Sequence, residues 1–135
     1  MSAPNSQQVM RSLLLNTNTN KIRALKTTAE LDELYRLIGC GNIDIVTRKI
    51  GERVFEIVVD DEGLAKDDAK ISAVDEFNVP MLFGNLLFFR NDGNGNLIEL
   101  TEDDIKCIRK HTRTIDFDDE KRTVVEVKWI LNIIG

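Results

Sequence analysis

The residues of this chain best suited to chemistry are carboxylates. Asp60, Asp61, Glu62, Asp67, Asp68, Asp75 and Glu76 fall within one stretch, against only Lys66 and Lys70. Two chemistries use such a set. A carboxylate pair from Asp60–Glu62 acting with a metal ion is the least an enzyme would need. No second motif accompanies that pair, so no catalytic residue, metal ligand or cofactor is assigned. The other use is electrostatic. Fixed carboxylates concentrate negative potential, imitate nucleic-acid phosphates and steer a positively charged groove towards them. The plainer alternative is solvated turns and helix N-termini.

Other candidate motifs reduce to structure. In Arg90–Asn96 the Asp-Gly-Asn-Gly run has the look of a calcium loop. With Gly95 at the loop's sixth position, Arg90 and Thr101 fall at the first and twelfth, where oxygen ligands are required. A hairpin turn is the better reading. His111, the sole histidine, follows Lys106, Arg109 and Lys110 at a helix end, with no nucleophile suggested nearby. Cys40 and Cys107 are too far apart for a zinc pattern and read as buried thiols. Gly39, Gly41 and Asn42, with the basic Arg48, Lys49 and Arg53, form an alternative site for a small anionic ligand such as a nucleotide signal. A helix C-terminus is the wrong pole for an anion, however.

Composition bounds the answer further. The chain has 135 residues and a formal net charge of −5. That length suits a single domain, 1–135, with a sizeable core. The charge argues against direct binding of nucleic acid, which needs clustered Lys and Arg. The longest apolar run, Val79–Phe89, is far short of the ~20 residues of a spanning helix. The N-terminal segment lacks a signal-peptide pattern. The expectation is a cytoplasmic protein with no membrane contact, whose partner is another protein; a homo-oligomer is compatible with this.

The elements that position the carboxylates follow from periodicity. Val9–Leu15 and Lys21–Lys26 read as short strands joined by the Asn/Thr turn. Thr27 and Glu30 have capping-box spacing, and Leu31, Leu34, Tyr35 and Ile38 form one buried helical stripe. Ile43–Val59 is a hairpin turning at Ile50–Arg53. Asp60–Val79 is a polar loop with one short helix near Asp67–Ile71. Met81–Phe89 is a central strand. Thr101 caps a second helix whose first turn holds Glu102, Asp103 and Asp104. Thr112–Phe117 and Arg122–Leu131 form a second hairpin, which places Trp129 on a dry face. The fold class is α+β: an antiparallel or mixed sheet of five to seven strands with two helices packed on one face.

Several pieces carry a family resemblance. The helix running into Leu-Ile-Gly-Cys-Gly-Asn-Ile-Asp-Ile-Val, then Val-Phe-Glu-Ile-Val-Val-Asp-Asp-Glu-Gly, Pro-Met-Leu-Phe-Gly-Asn-Leu-Leu-Phe and Leu-Thr-Glu-Asp-Asp-Ile-Lys-Cys-Ile resemble domain-of-unknown-function family 3846. The resemblance covers residues 31–108, with a family-like core at about 27–110 between an N-terminal strand extension and a C-terminal hairpin. Here Cys40 separates two family glycines, Asp61-Glu62 stands where many members have Asn-Glu, and a downstream Leu-Pro-x-Asn is absent. The resemblance implies no activity. It implies a setting among phages and mobile elements of bacteria. A non-enzymatic, anti-CRISPR-like inhibitor of a host defence factor, binding through the acidic stretch, is therefore the leading expectation. The partner expected is a nucleic-acid-binding host protein.

Overall fold

The computed structural model describes residues 8–66 and 68–130. In chain order the elements are β1 (Met10–Asn16), β2 (Lys21–Thr27), α1 (Leu31–Ile38), β3 (Ile43–Ile50), β4 (Arg53–Asp60), β5 (Ile71–Val74), β6 (Pro80–Phe83), β7 (Leu86–Asn91), β8 (Leu97–Ile98), α2 (Glu102–Lys110), β9 (Thr112–Phe117) and β10 (Glu120–Glu126). They build two sheets. The six-stranded one has the order β2-β1-β7-β4-β3, with β8 beside β7; the four-stranded one has the order β6-β5-β10-β9. The class is α+β. The larger sheet is antiparallel throughout, and the smaller is mixed, because β5 and β10 run parallel.

The second sheet departs from expectation, and its cause is local. The apolar run after Val79 is two strands, not one. Gly84 adopts φ +87°, a left-handed conformation that glycine supplies at no steric cost. There the chain turns out of β6 in the small sheet and enters β7 in the middle of the large one. The helix expected near Asp67–Ile71 is absent from the described residues. Ile71 instead opens β5, a strand buried at all four positions, whose partner β10 lies some fifty residues later. Such a run has no period that marks it as strand or helix.

The middle strands of the large sheet, β1, β7 and β4, are dry on both faces. Leu13, Leu15, Phe55, Ile57, Leu86 and Phe88 meet Ala73 and Val125 of the small sheet, Val127 just beyond β10 and Ile108 of α2. On the other face Met10, Leu14, Val58, Leu87 and Phe89 lie under Leu34, Leu37 and Ile38 of α1. The helices therefore pack on opposite faces, not on one. A buried stripe shows that a helix is covered but not which side of the sheet covers it.

Helix ends divide between confirmation and correction. At α2 the capping box is complete, with Thr101 Oγ1 accepting from Asp104 N–H and the Asp104 carboxylate accepting from Thr101 N–H. At α1 the Thr27–Glu30 box does not form. Thr27 closes β2 with its hydroxyl on Thr28 O, and Glu30 is the N-cap without a side-chain bond. His111 is the C-cap of α2, its Nδ1 2.9 Å from Cys107 O. Among the described residues no helix is long and apolar enough to cross a membrane.

Trp129 is 62% exposed, contrary to the dry-face expectation. β10 ends at Glu126, and Lys128 then pairs with Lys49 of β3, which breaks the alternation before Trp129. The indole instead stacks under Arg48, whose guanidinium carbon lies 4.1 Å from the ring centroid. Trp129→Ala should thus cost about 0.5–1 kcal/mol, the worth of an exposed cation–π contact, and not the ~3–5 kcal/mol of a core aromatic. Urea unfolding checks this. A loss above ~2 kcal/mol would contradict the exposed stack.

Candidate functional site

The acidic stretch begins where β4 ends. Asp60 is only 7% exposed at its side chain and pairs with Lys66. Its Oδ1 also accepts the Glu62 N–H at 2.9 Å. Burial alone would raise its pKa, but Lys66 and the Glu62 N–H outweigh that and hold it below the usual carboxylate range. Asp60 is therefore a neutralised strut, not a presented charge. Asp61 and Glu62 are exposed. Asn42 reaches both: its carbonyl takes the Asp61 N–H at 3.1 Å, and its amide lies 3.5 Å from Glu62 Oε1. Asp68 is exposed, and Asp67 lies outside the described residues.

Asp75 and Glu76 do not join this group. They sit in the β5–β6 turn, at the other end of the four-residue β5, about 13 Å away along the strand. Asp75 Oδ1 accepts the N–H groups of Phe77 at 2.8 Å and Val79 at 2.9 Å, so this carboxylate makes the turn. The expected single acidic surface is thus divided by a strand that the sequence does not announce.

What does assemble is an acidic end of the molecule. Three depressions adjoin there. One of about 250 Å³ is bounded by Asp44, Asp60, Asp61 and Met81. It shares Asp60 and Gly63 with a cavity of about 140 Å³ that also takes in Thr17, Gly39 and Lys66. That cavity shares Asp68 and Lys70 with a third depression of about 250 Å³, beside Phe117, Asp118 and Arg122. Asp44, Asp61, Asp68 and Asp118 are exposed on these rims. Among the described residues none of the four has a Lys or Arg partner.

Asp118 is a functional candidate that sequence order conceals. With Asp119 it forms the β9–β10 turn, at φ +52° and +64°. Only the parallel β5–β10 pairing brings that turn beside Asp68. The sequence did carry a signal, since Asp116, Asp118, Asp119 and Glu120 form an acidic group of their own.

Both sheets are tied together beneath this end. Asn85 Oδ1 accepts the Thr17 N–H at 2.8 Å and its hydroxyl at 3.0 Å. Asn85 Nδ2 donates to Leu37 O at 3.1 Å, which also satisfies a helix-terminal carbonyl. From the small sheet, Arg122 Nη2 donates to Thr17 O at 2.5 Å, and Thr123 N–H donates to Asn20 Oδ1 at 2.7 Å.

The alternative ligand set is not brought together. Gly39, Gly41 and Asn42 precede β3, whereas Arg48 and Lys49 lie near its far end, roughly 20 Å away. Arg48 is engaged with Trp129, Lys49 is bridged to Lys128, and Arg53 pairs with Asp104 at 2.8 Å. Of this set Gly39 and Asn42 reach the acidic end. Cys40 beside Gly39 donates to Asn42 O at 3.1 Å, and burial pushes its thiol pKa up, against reactivity. In the Asn91–Asn96 turn the Asp92 carboxylate accepts the Asn94 N–H and the Asn96 side chain. Among the described residues no three His, Cys, Asp or Glu side chains are grouped to hold a metal ion.

A family model described as a domain of unknown function (DUF3846) matches residues 10–113. The match is wider than the 31–108 resemblance and takes in β1 and β2. No curated protein and no solved structure matches the chain.

Proposed function

Because the chain belongs to the DUF3846 family, described only as a domain of unknown function, we propose its role from the geometry of its acidic end. It is a non-enzymatic binding protein that presents Asp44, Asp61 and Asp68, with Asp118 beside them, to a positively charged surface of a protein partner. The partner that fits is a nucleic-acid-binding protein whose basic groove ordinarily holds phosphates. In a phage or mobile-element setting that makes the chain an inhibitor of a host defence factor, acting in the host cytoplasm.

One observation carries this reading: four carboxylates without a cationic partner stand on a cross-tied end built from both sheets. None of the four forms an ion pair among the described residues, and a cationic surface would supply the partner that each lacks. Two alternatives fit less well. The small-ligand reading contracts to the cavity of about 140 Å³, below the ~300 Å³ at which ligand pockets begin. Of the three carboxylates that the metal-enzyme reading draws on, Asp60 is already occupied by Lys66.

The test is capture of partners from host extract by the chain and by the triple variant Asp44→Lys, Asp61→Lys, Asp68→Lys. Asp118 is left alone because its positive φ would strain a lysine. The variant is expected to keep its thermal midpoint and to lose about tenfold or more of the capture. A folded variant that captures as well as the parent overturns the proposal.

A further inference from the structure

A second surface, of opposite sign, lies at the other end of the β1–β2 hairpin. β2 is an edge strand of the large sheet, and among the described residues only β1 pairs with it. α2 lies across the sheet face beside that edge and leaves an open groove of about 520 Å³. The groove's floor is aliphatic, formed by Ala24 and Ile105, while Leu25, next along β2, packs on the opposite face with the α1 cluster. Arg11, Lys26, Lys106 and Arg109 stand around it, with Glu102 as the one acid among the lining residues. Among the described residues none of the four cations forms an ion pair. Four unpaired cations around one apolar trough are conspicuous in a chain of net charge −5.

We propose that this groove takes an extended acidic segment of a partner protein, added as a strand along β2. Three features select that occupant. The free side of an edge strand offers a row of N–H and C=O groups, which a peptide backbone matches and a phosphate backbone does not. Alternate side chains of an added strand point to one face, so one set meets the aliphatic floor. Carboxylates within that same set, flanking its apolar residues, come within reach of the cationic rim. The trough has no aromatic side chain on which a base could stack, which disfavours single-stranded nucleic acid. The groove is also remote from the acidic end, because Arg11 pairs with Lys26 at the hairpin's open end, whereas Thr17 and Asn18 of its turn line the acidic cavity. The inference is therefore independent of the proposed function.

The probe is the capped peptide Glu-Ser-Val-Ser-Val-Ser-Glu, whose Val and Glu side chains share one face of an added strand, matched to the seven residues of β2 and titrated to millimolar concentration into the full chain by NMR. Amides of β2 and α2 should shift, and those of the acidic end should not. Three controls should each weaken binding about tenfold: the Val/Lys counterpart, the same Val/Glu peptide N-methylated at alternate residues, and the folded Lys106→Glu, Arg109→Glu variant. Absence of shifts at β2 and α2 overturns the proposal. Equal binding of the Lys peptide overturns its charge basis, and equal binding of the N-methylated peptide overturns strand addition. Preference of the groove for an oligothymidylate would make it a nucleic-acid site instead, and concentration-dependent dimerisation through β2 would make the occupant a second copy; either result overturns it.

Discussion

Asp104→Ala should destabilise the protein by about 3 kcal/mol, more than any other single charge removal. Asp104 is 1% exposed and sits at the start of α2, where its Oδ1 accepts Arg53 Nη1 at 2.8 Å and Arg90 Nη1 at 2.6 Å. Its Oδ2 accepts the Thr101 N–H at 2.9 Å. Arg53 comes from β4 and Arg90 from β7, so one carboxylate pins a helix to two strands of the large sheet. Alanine removes the carboxylate half of the capping box, leaving the Thr101 N–H unsatisfied, and leaves both guanidiniums without their anion. Those arginines are 40% and 35% exposed at their side chains and regain some water, which holds the loss to the lower end of the ~3–5 kcal/mol typical of a broken buried pair. Urea unfolding at neutral pH measures it, and a loss below ~1 kcal/mol would contradict the pinning role. The pH dependence has a definite sign. Burial raises the Asp104 pKa, but the Thr101 N–H, Arg53, the Thr101 hydroxyl and Arg90 together lower it further. A folded value below the unfolded value of about 3.9 stabilises fully above that value, and the contribution is lost as pH falls through the folded one. The gap between parent and variant should therefore close in acid.

Phe88→Ala should cost about 3–5 kcal/mol. Phe88 is fully buried on the middle strand, opposite Leu13 of β1 and Ile57 of β4. Its ring lies in the layer where the large sheet meets the small sheet and α2. No neighbouring backbone is free to collapse into the space, because three packed elements hold it open. A loss under ~1.5 kcal/mol would mean that the two sheets are not packed as described. The contrast with Trp129 is informative: the largest aromatic of the chain contributes through one stacked arginine, and a phenylalanine carries the core.

Elements with a local signature are legible in the sequence. The β3–β4 hairpin announces itself by Gly51 between two β-branched runs, α2 by Thr101 and the acids after it, and the β9–β10 hairpin by its Asp-Asp turn. What was not legible depends on distant partners. β5 is a strand because β10 lies alongside it, and four buried residues in a row carry no period. The break at Gly84 sends two halves of one apolar run into different sheets. The same long-range pairing decided the candidate site: it removed Asp75 and Glu76 and supplied Asp118. Asp60, first of the expected site residues, proved to be held by Lys66, six positions on. A charge count along the chain cannot separate a paired carboxylate from a presented one.

The most direct measurement of the central claim is the association rate of a captured partner as ionic strength is raised. It compares the parent with the neutralised variant Asp44→Asn, Asp61→Asn, Asp68→Asn. If the acidic end steers a cationic surface, the parent's rate falls steeply with salt. The variant then starts about tenfold slower at low salt and shows a flatter dependence, with a smaller change in dissociation. Equal rates and equal salt slopes for the two proteins would contradict the account.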